Sequence, residues 1–119
     1  MENQKGEKMN KRELGKAGEV LAAEYLEQNG YRILFRNFWC NRGEIDLVAQ
    51  KGNWVHFVEV KTRTGNHYGA PRESITPYKM GRMRIAAESY MKAKAGMPGL
   101  AKNMQLDVIE ICITHTENI

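Results

Sequence analysis

Cysteine is scarce. Cys40 and Cys112 are the only two, far apart and without a Cys-x-x-Cys spacing. That argues against a disulfide scaffold or a zinc site and suits a reducing cytosol. Long apolar runs are missing too. None approaches the roughly 18 residues of a membrane span, so no membrane is expected as a partner. Met1 to Lys16 is polar and lacks the apolar core of a signal peptide. Internal repeats and low-complexity tracts are absent. Acidic residues run short in one third of the chain. Between Lys61 and Lys94 only Glu73 and Glu88 oppose eight basic residues, so this segment carries +6 while the whole chain carries +4. A basic stretch beside a more acidic remainder points to a polyanionic partner such as nucleic acid. A solvated, lysine-rich helix surface is the plainer alternative. The rest is globular: 42% of residues are hydrophobic and 27% charged, which excludes disorder throughout. At 119 residues the chain reads as one domain over residues 10–119, with residues 1–9 as an aperiodic, charged tail.

Periodicity predicts six elements. A helix runs from about Asn10 to Asn29, with Leu14, Gly18, Leu21 and Tyr25 at helical spacing and Gly30 as its stop. Tyr31 to Arg36 alternates as a strand, with Tyr31, Ile33 and Phe35 on one face. Glu44 to Ala49 and Trp54 to Lys61 are further strands, joined through the turn signal Gln50-Lys51-Gly52-Asn53. Thr62 to Ile75 reads as a long polar loop, and long loops in compact domains are usually functional or disordered. Thr76 caps a second helix with Pro77 at its first position, running to about Ala95, with Met83, Ala87, Tyr90 and Met91 inward. A last strand, about Met104 to Thr114, places Ile109, Ile111 and Ile113 on one face. The class is therefore α/β: helix, three strands, helix, strand, forming a mixed central sheet flanked by helices.

The hairpin carries the chemistry. With Gly52-Asn53 as a two-residue turn, Lys51 pairs with Trp54, and stepping back along both strands sets Asp46 opposite Glu59, Cα atoms roughly 4.5 Å apart. Lys61 stands two residues along on the face of Glu59. Opposed carboxylates repel unless a positive group lies between them. A hard divalent cation suits that place, and Mg²⁺ takes carboxylate, water and phosphate oxygens. With a lysine beside the attacking water, these are parts for metal-assisted phosphodiester hydrolysis. Acid-x-Lys alone is weak, because Glu59 could simply pair with Lys61. Glu19 shares a helical stripe with Ala22, Ala23 and Leu26, so it either rims the core or points at a ligand. Lys79 and Arg82, one turn apart, could clamp phosphates. His67 and Tyr68, with Arg63 nearby, could flank a nucleic-acid strand. Asp107 reads as a core support, and Trp39 and Trp54 as core or rim packing.

Glu19, Asp46 and Glu59-Val60-Lys61 together resemble the PD-(D/E)XK nuclease superfamily of restriction endonucleases and archaeal Holliday-junction resolvases, whose helix–three strands–helix–strand core matches the expected order. A closer resemblance runs from about Leu14 to Ile113. Gly15-Lys16-Ala17-Gly18-Glu19, Gly30-Tyr31-Arg32-Ile33-Leu34, Arg36-Asn37, Gly43-Glu44-Ile45-Asp46-Leu47-Val48-Ala49, Phe57-Val58-Glu59-Val60-Lys61-Thr62-Arg63 and Tyr68-Gly69-Ala70-Pro71 are similar to the YraN-like family of small, uncharacterised bacterial proteins. The resemblance implies a restriction-endonuclease-like core and metal binding by Asp46 and Glu59. Glu19 would support the metal and Lys61 would be catalytic. Two departures stand out. Ile45 precedes Asp46 where the superfamily's name has Pro. Lys79 or Arg82 falls where resolvase-like members often carry Gln. The function expected is a cytoplasmic, Mg²⁺- or Mn²⁺-dependent endonuclease on DNA, branched DNA included, with Arg63, Lys79 and Arg82 contacting nucleic acid. A homodimer would suit cutting both strands, although no residue pattern marks a dimer. The alternatives are a non-catalytic nucleic-acid-binding module, or an accessory protein in DNA repair or uptake.

Overall fold

The structure, a computed structural model, describes residues 9–65 and 75–119. The charged tail, His67, Tyr68 and most of the expected long loop fall outside the described residues. The elements follow the expected order: α1 (Lys11–Gln28), β1 (Arg32–Cys40), β2 (Gly43–Lys51), β3 (Trp54–Thr64), α2 (Pro77–Ala93) and β4 (Asn103–Ile113). The sheet runs β1-β2-β3-β4, antiparallel up to β3, with β4 returning parallel beside β3. One helix covers each face. Ala22, Ala23 and Leu26 of α1 bury against Leu47, Ala49 and Val58. Met83, Ala86, Ala87 and Tyr90 of α2 bury against Ile45, Val48, Val55 and Phe57.

Local chemistry sets the helix starts. Asn10 caps α1 through a capping box, accepting from Glu13 N while Glu13 accepts from Asn10 N. Thr76 caps α2 by accepting from Lys79 N at 3.1 Å, with Pro77 at the first position. The inward stripe of α1 is the one through Glu19, not the one through Leu21 and Tyr25, which are half exposed. Small Gly18, Ala22 and Ala23 let α1 lie close to the sheet. A Cβ on Gly18 would collide with the Thr62 side chain.

Two strands depart from the expected pattern. β3 runs on to Thr64, taking the first residues of the expected loop into the sheet beside β4. β1 runs on to Cys40 and slips register between Ile33 and Phe35. Tyr31 and Ile33 therefore pack under α1, while Phe35 stacks edge-on against Tyr90 of α2, centroids 6.3 Å apart. The extra residue, Leu34, turns Phe35 to the other face, since strand side chains alternate with period two. Trp39 and Trp54 are exposed rather than packed.

Candidate metal and nucleic-acid site

The β2–β3 hairpin has the expected register. Gly52 at φ 59° makes the two-residue turn, and Lys51 pairs with Trp54. The ladder runs regularly to Leu47–Val58 and stops one step short of Asp46–Glu59. Val60 N–H, which an unbroken ladder would aim at the Ile45 carbonyl, donates instead to Asp46 Oδ2 at 2.7 Å. The strands part here, and the Asp46 side chain replaces a backbone acceptor.

The cause lies on the other side of β2. Asn37 of β1, at φ 54°, stands across from Asp46 between the pairs Arg36–Leu47 and Phe38–Ile45. Asparagine tolerates the left-handed region better than most residues. Through this pair the alternation slips by one in both strands. Ile45 and Val48 both enter the core under α2, three residues apart. Phe35 and Phe38 likewise both stack on Tyr90. A regular strand would put such pairs on opposite faces. Asp46 thus sits at a break in the sheet, with its carboxylate beside β3. On the α2 side Gly43 touches the Arg82 backbone carbonyl, which a Cβ would strike, so α2 comes close to the start of β2.

Four further charges meet there. Glu59 is 5% exposed. Its Oε2 lies 2.7 Å from Lys79 Nζ and 3.5 Å from Lys61 Nζ. Glu19 reaches the same region from α1, where Asn37 lowers its carboxyl and the charges of Glu59 and Glu44 raise it. Burial pushes the Asp46 carboxyl up to about 7, with Glu59 and Glu19 adding repulsion against the Val60 hydrogen bond and Lys79. Burial also raises the Glu19 carboxyl, against the pull of Lys16 and Asn37. Burial alone would lower the Lys79 ammonium; its hydrogen bond to Glu59 and that carboxylate's charge outweigh this and hold it above its ordinary value. Lys79 lies in the first turn of α2, where the helix dipole disfavours a cation. Glu59 offsets that placement.

Asp46, Glu59, Lys61 and Glu19 are therefore brought together, as the motif implies. Among the described residues no three His, Cys, Asp or Glu side chains form a ready metal cage. Two carboxylates are nonetheless a donor set Mg²⁺ accepts, completed by water and phosphate oxygens. The raised Asp46 carboxyl reflects first its burial and then the neighbouring acids Glu59 and Glu19. The candidate phosphate contacts divide. Lys79 belongs to the acid cluster itself. Arg63 Nε lies 2.6 Å from Glu110 Oε2 of β4. Arg82 is exposed and stays on its own helix, 3.3 Å from the Tyr78 hydroxyl. Asp107 holds buried His56 at 2.7 Å, and the His56 ring meets the Tyr31 ring edge-on. Asn37 is the site residue that reading by charge and spacing passes over; its signal is the Arg36-Asn37 motif of the family resemblance.

Comparison with known proteins bears on these residues. A family model described as "Uncharacterised protein family UPF0102" matches residues 18–111. A UPF0102 protein of Syntrophomonas wolfei is 45% identical over 102 residues, covering 86% of each chain. One from Caldicellulosiruptor saccharolyticus is 45% identical over 105 residues, covering 87% of this chain and 85% of its own. Another, from Geobacter metallireducens, is 46% identical over 99 residues, covering 83% and 74%. The matched span begins at the glycine where α1 meets the sheet and takes in Glu19, Asn37, Asp46, Glu59, Lys61 and Lys79, so the whole cluster lies inside it, and this chain belongs to the uncharacterised protein family UPF0102.

Proposed function

We propose that this protein is a metal-dependent nuclease that hydrolyses phosphodiesters in DNA, with branched DNA as the finer expectation. The observation that carries the reading is the break at Asp46. It gathers Asp46, Glu59 and Glu19 beside Lys61, where burial and then the neighbouring acids raise the Asp46 carboxyl to about 7. Asp46 and Glu59 would hold Mg²⁺ or Mn²⁺, with Glu19 supporting from α1. Bound there, the ion supplies an acidified water and a Lewis acid for the phosphoryl oxygen. Lys61 orients that water or meets the charge growing on the phosphate. Lys79 holds Glu59 in place and neutralises it. Arg82 remains open to the phosphate backbone. Cys40 and Cys112 are free thiols, in keeping with a reducing cytosol. Among the described residues no helix is long and apolar enough to cross a membrane. Cutting both strands of a duplex or junction would take two copies.

Two observations favour a second reading, a nucleic-acid-binding module without catalysis: Lys79 already compensates Glu59, and among the described residues no three-ligand cage is preformed. A cleavage screen separates the two. The purified protein is incubated with Mg²⁺ or Mn²⁺ on linear, single-stranded and four-way-junction DNA. The nuclease reading expects products that vanish with EDTA and in Asp46→Asn, Glu59→Gln and Lys61→Ala. Cleavage that survives EDTA, or a Lys61→Ala variant at wild-type rate, overturns it. Binding without cleavage under every condition leaves the module.

A further inference from the structure

We propose that Trp39, with Arg36 beside it, is a stacking platform for an unpaired nucleobase of the strand whose phosphate occupies the Asp46–Glu59 site; this rests on the nucleic-acid reading above. Trp39 is 69% exposed, the most exposed of the described aromatics except Tyr78. It sits at the end of the β1–β2 hairpin, beside a two-residue turn of exposed Asn41 and Arg42. The slip at Asn37 decides its company. Arg36 pairs with Leu47, whose side chain enters the core under α1. Phe38 turns to Tyr90 under α2, so Trp39 returns to the α1 face. Arg36 and Trp39, three residues apart, therefore share one face and flank Asn37, the residue across from Asp46. In a regular strand they would point oppositely.

The chemistry of that face fits one occupant. A large aromatic ring interleaved with guanidinium groups binds single-stranded nucleic acid, because every base has a π-face and every linkage a negative charge. Glu44, directly across from Trp39, is exposed. It repels a phosphate placed over the ring, so the ring takes a base while Arg36 and Arg42 take the flanking phosphates. Two of the basic residues first expected to do so, Lys79 and Arg63, are engaged with Glu59 and Glu110. Bases inside a duplex are already stacked. The platform thus selects single strands, ends or branch points over continuous duplex.

The chain has two tryptophans, so Trp54→Phe leaves Trp39 as the sole indole reporter. That variant is titrated, with Ca²⁺ replacing Mg²⁺, with oligo(dT) of about 12 nucleotides and with a blunt duplex, following fluorescence and anisotropy together. The expected result is saturable quenching by the single strand. Trp39→Ala should weaken single-strand binding about 5- to 100-fold, with Trp39→Phe restoring most of it and duplex binding little changed. Binding without quenching, at an affinity Trp39→Ala does not alter, overturns the platform and leaves the nuclease reading standing. Binding of neither DNA at low salt overturns both. Shielding of Trp39 by self-association without DNA also overturns it, because the ring then serves a protein contact.

Discussion

Lys79 Nζ lies 2.7 Å from Glu59 Oε2, on a carboxylate whose side chain is 6% exposed. Removing the ammonium leaves a buried charge that, among the described residues, only Lys61 meets, at 3.5 Å. Breaking a buried pair is costly, but the Lys79 side chain is 39% exposed and water screens part of the loss. Lys79→Ala should destabilise the fold by about 1–2 kcal/mol, lowering Tm by about 4–10 °C. Adding Glu59→Gln should recover most of that. Thermal melts of the two single variants and the double variant give the coupling; no coupling would remove the pair from the stability of the fold.

Asp46 makes stability fall with rising pH. Its carboxyl is raised from 3.8 to about 7 in the folded protein. Between those values the folded state binds more protons than the unfolded one, so the slope of unfolding free energy against pH is negative. The penalty is absent below about 4, grows through the interval, and is complete above about 7, reaching at most about 4 kcal/mol. Asp46→Asn keeps an oxygen acceptor for Val60 N–H. It should raise Tm at pH 8 in EDTA and flatten the decline between pH 4 and 7. Equal slopes for variant and wild type would place the decline elsewhere.

Asn37 should separate backbone from side chain. Its φ of 54° costs an ordinary L-residue about 1–2 kcal/mol. Asn37→Ala should lower Tm by about 4–10 °C. Asn37→Gly should stay close to wild type, because glycine adopts that conformation freely. Both lose the amide side chain that lowers the Glu19 carboxyl. If the Gly variant melts as low as the Ala variant, the Asn37 side chain, not the backbone, carries the stability.

Metal should act as a stabilising ligand. An ion that binds only the folded state at ten times its Kd adds about 1.4 kcal/mol, a Tm rise of about 5–10 °C. Mg²⁺ or Mn²⁺ should produce this in wild type and in Lys61→Ala, and not in Asp46→Asn or Glu59→Gln. A rise retained in Asp46→Asn would place the ion at other residues.

Much of the architecture was legible because its signals are local. Asn10 with Glu13, Thr76 with Pro77, and Lys51-Gly52-Asn53-Trp54 each define a cap or turn within four residues. The hairpin register then carries Glu59 toward Asp46 by counting. The length of β1 was not legible, because Asn37 and the slip at Leu34 break the alternation that period-two reading relies on. Nor was the inward face of α1. Leu21 and Tyr25 look like core residues, but a helix resting on a sheet through Gly18 and Ala22 turns its small residues inward.

The sequence by itself determined the order of elements, the tight hairpin, and an acidic-lysine set at Glu19, Asp46, Glu59 and Lys61, because capping, turn chemistry and alternation act between near neighbours. Only the tertiary structure decided that the ladder stops before Asp46, that Lys79 and Arg63 are engaged with Glu59 and Glu110, and that Trp39 faces water. Those outcomes depend on how closely α1 and α2 approach the sheet and on how β1 meets β2. Contacts between elements far apart in the chain set both, and no local pattern encodes them.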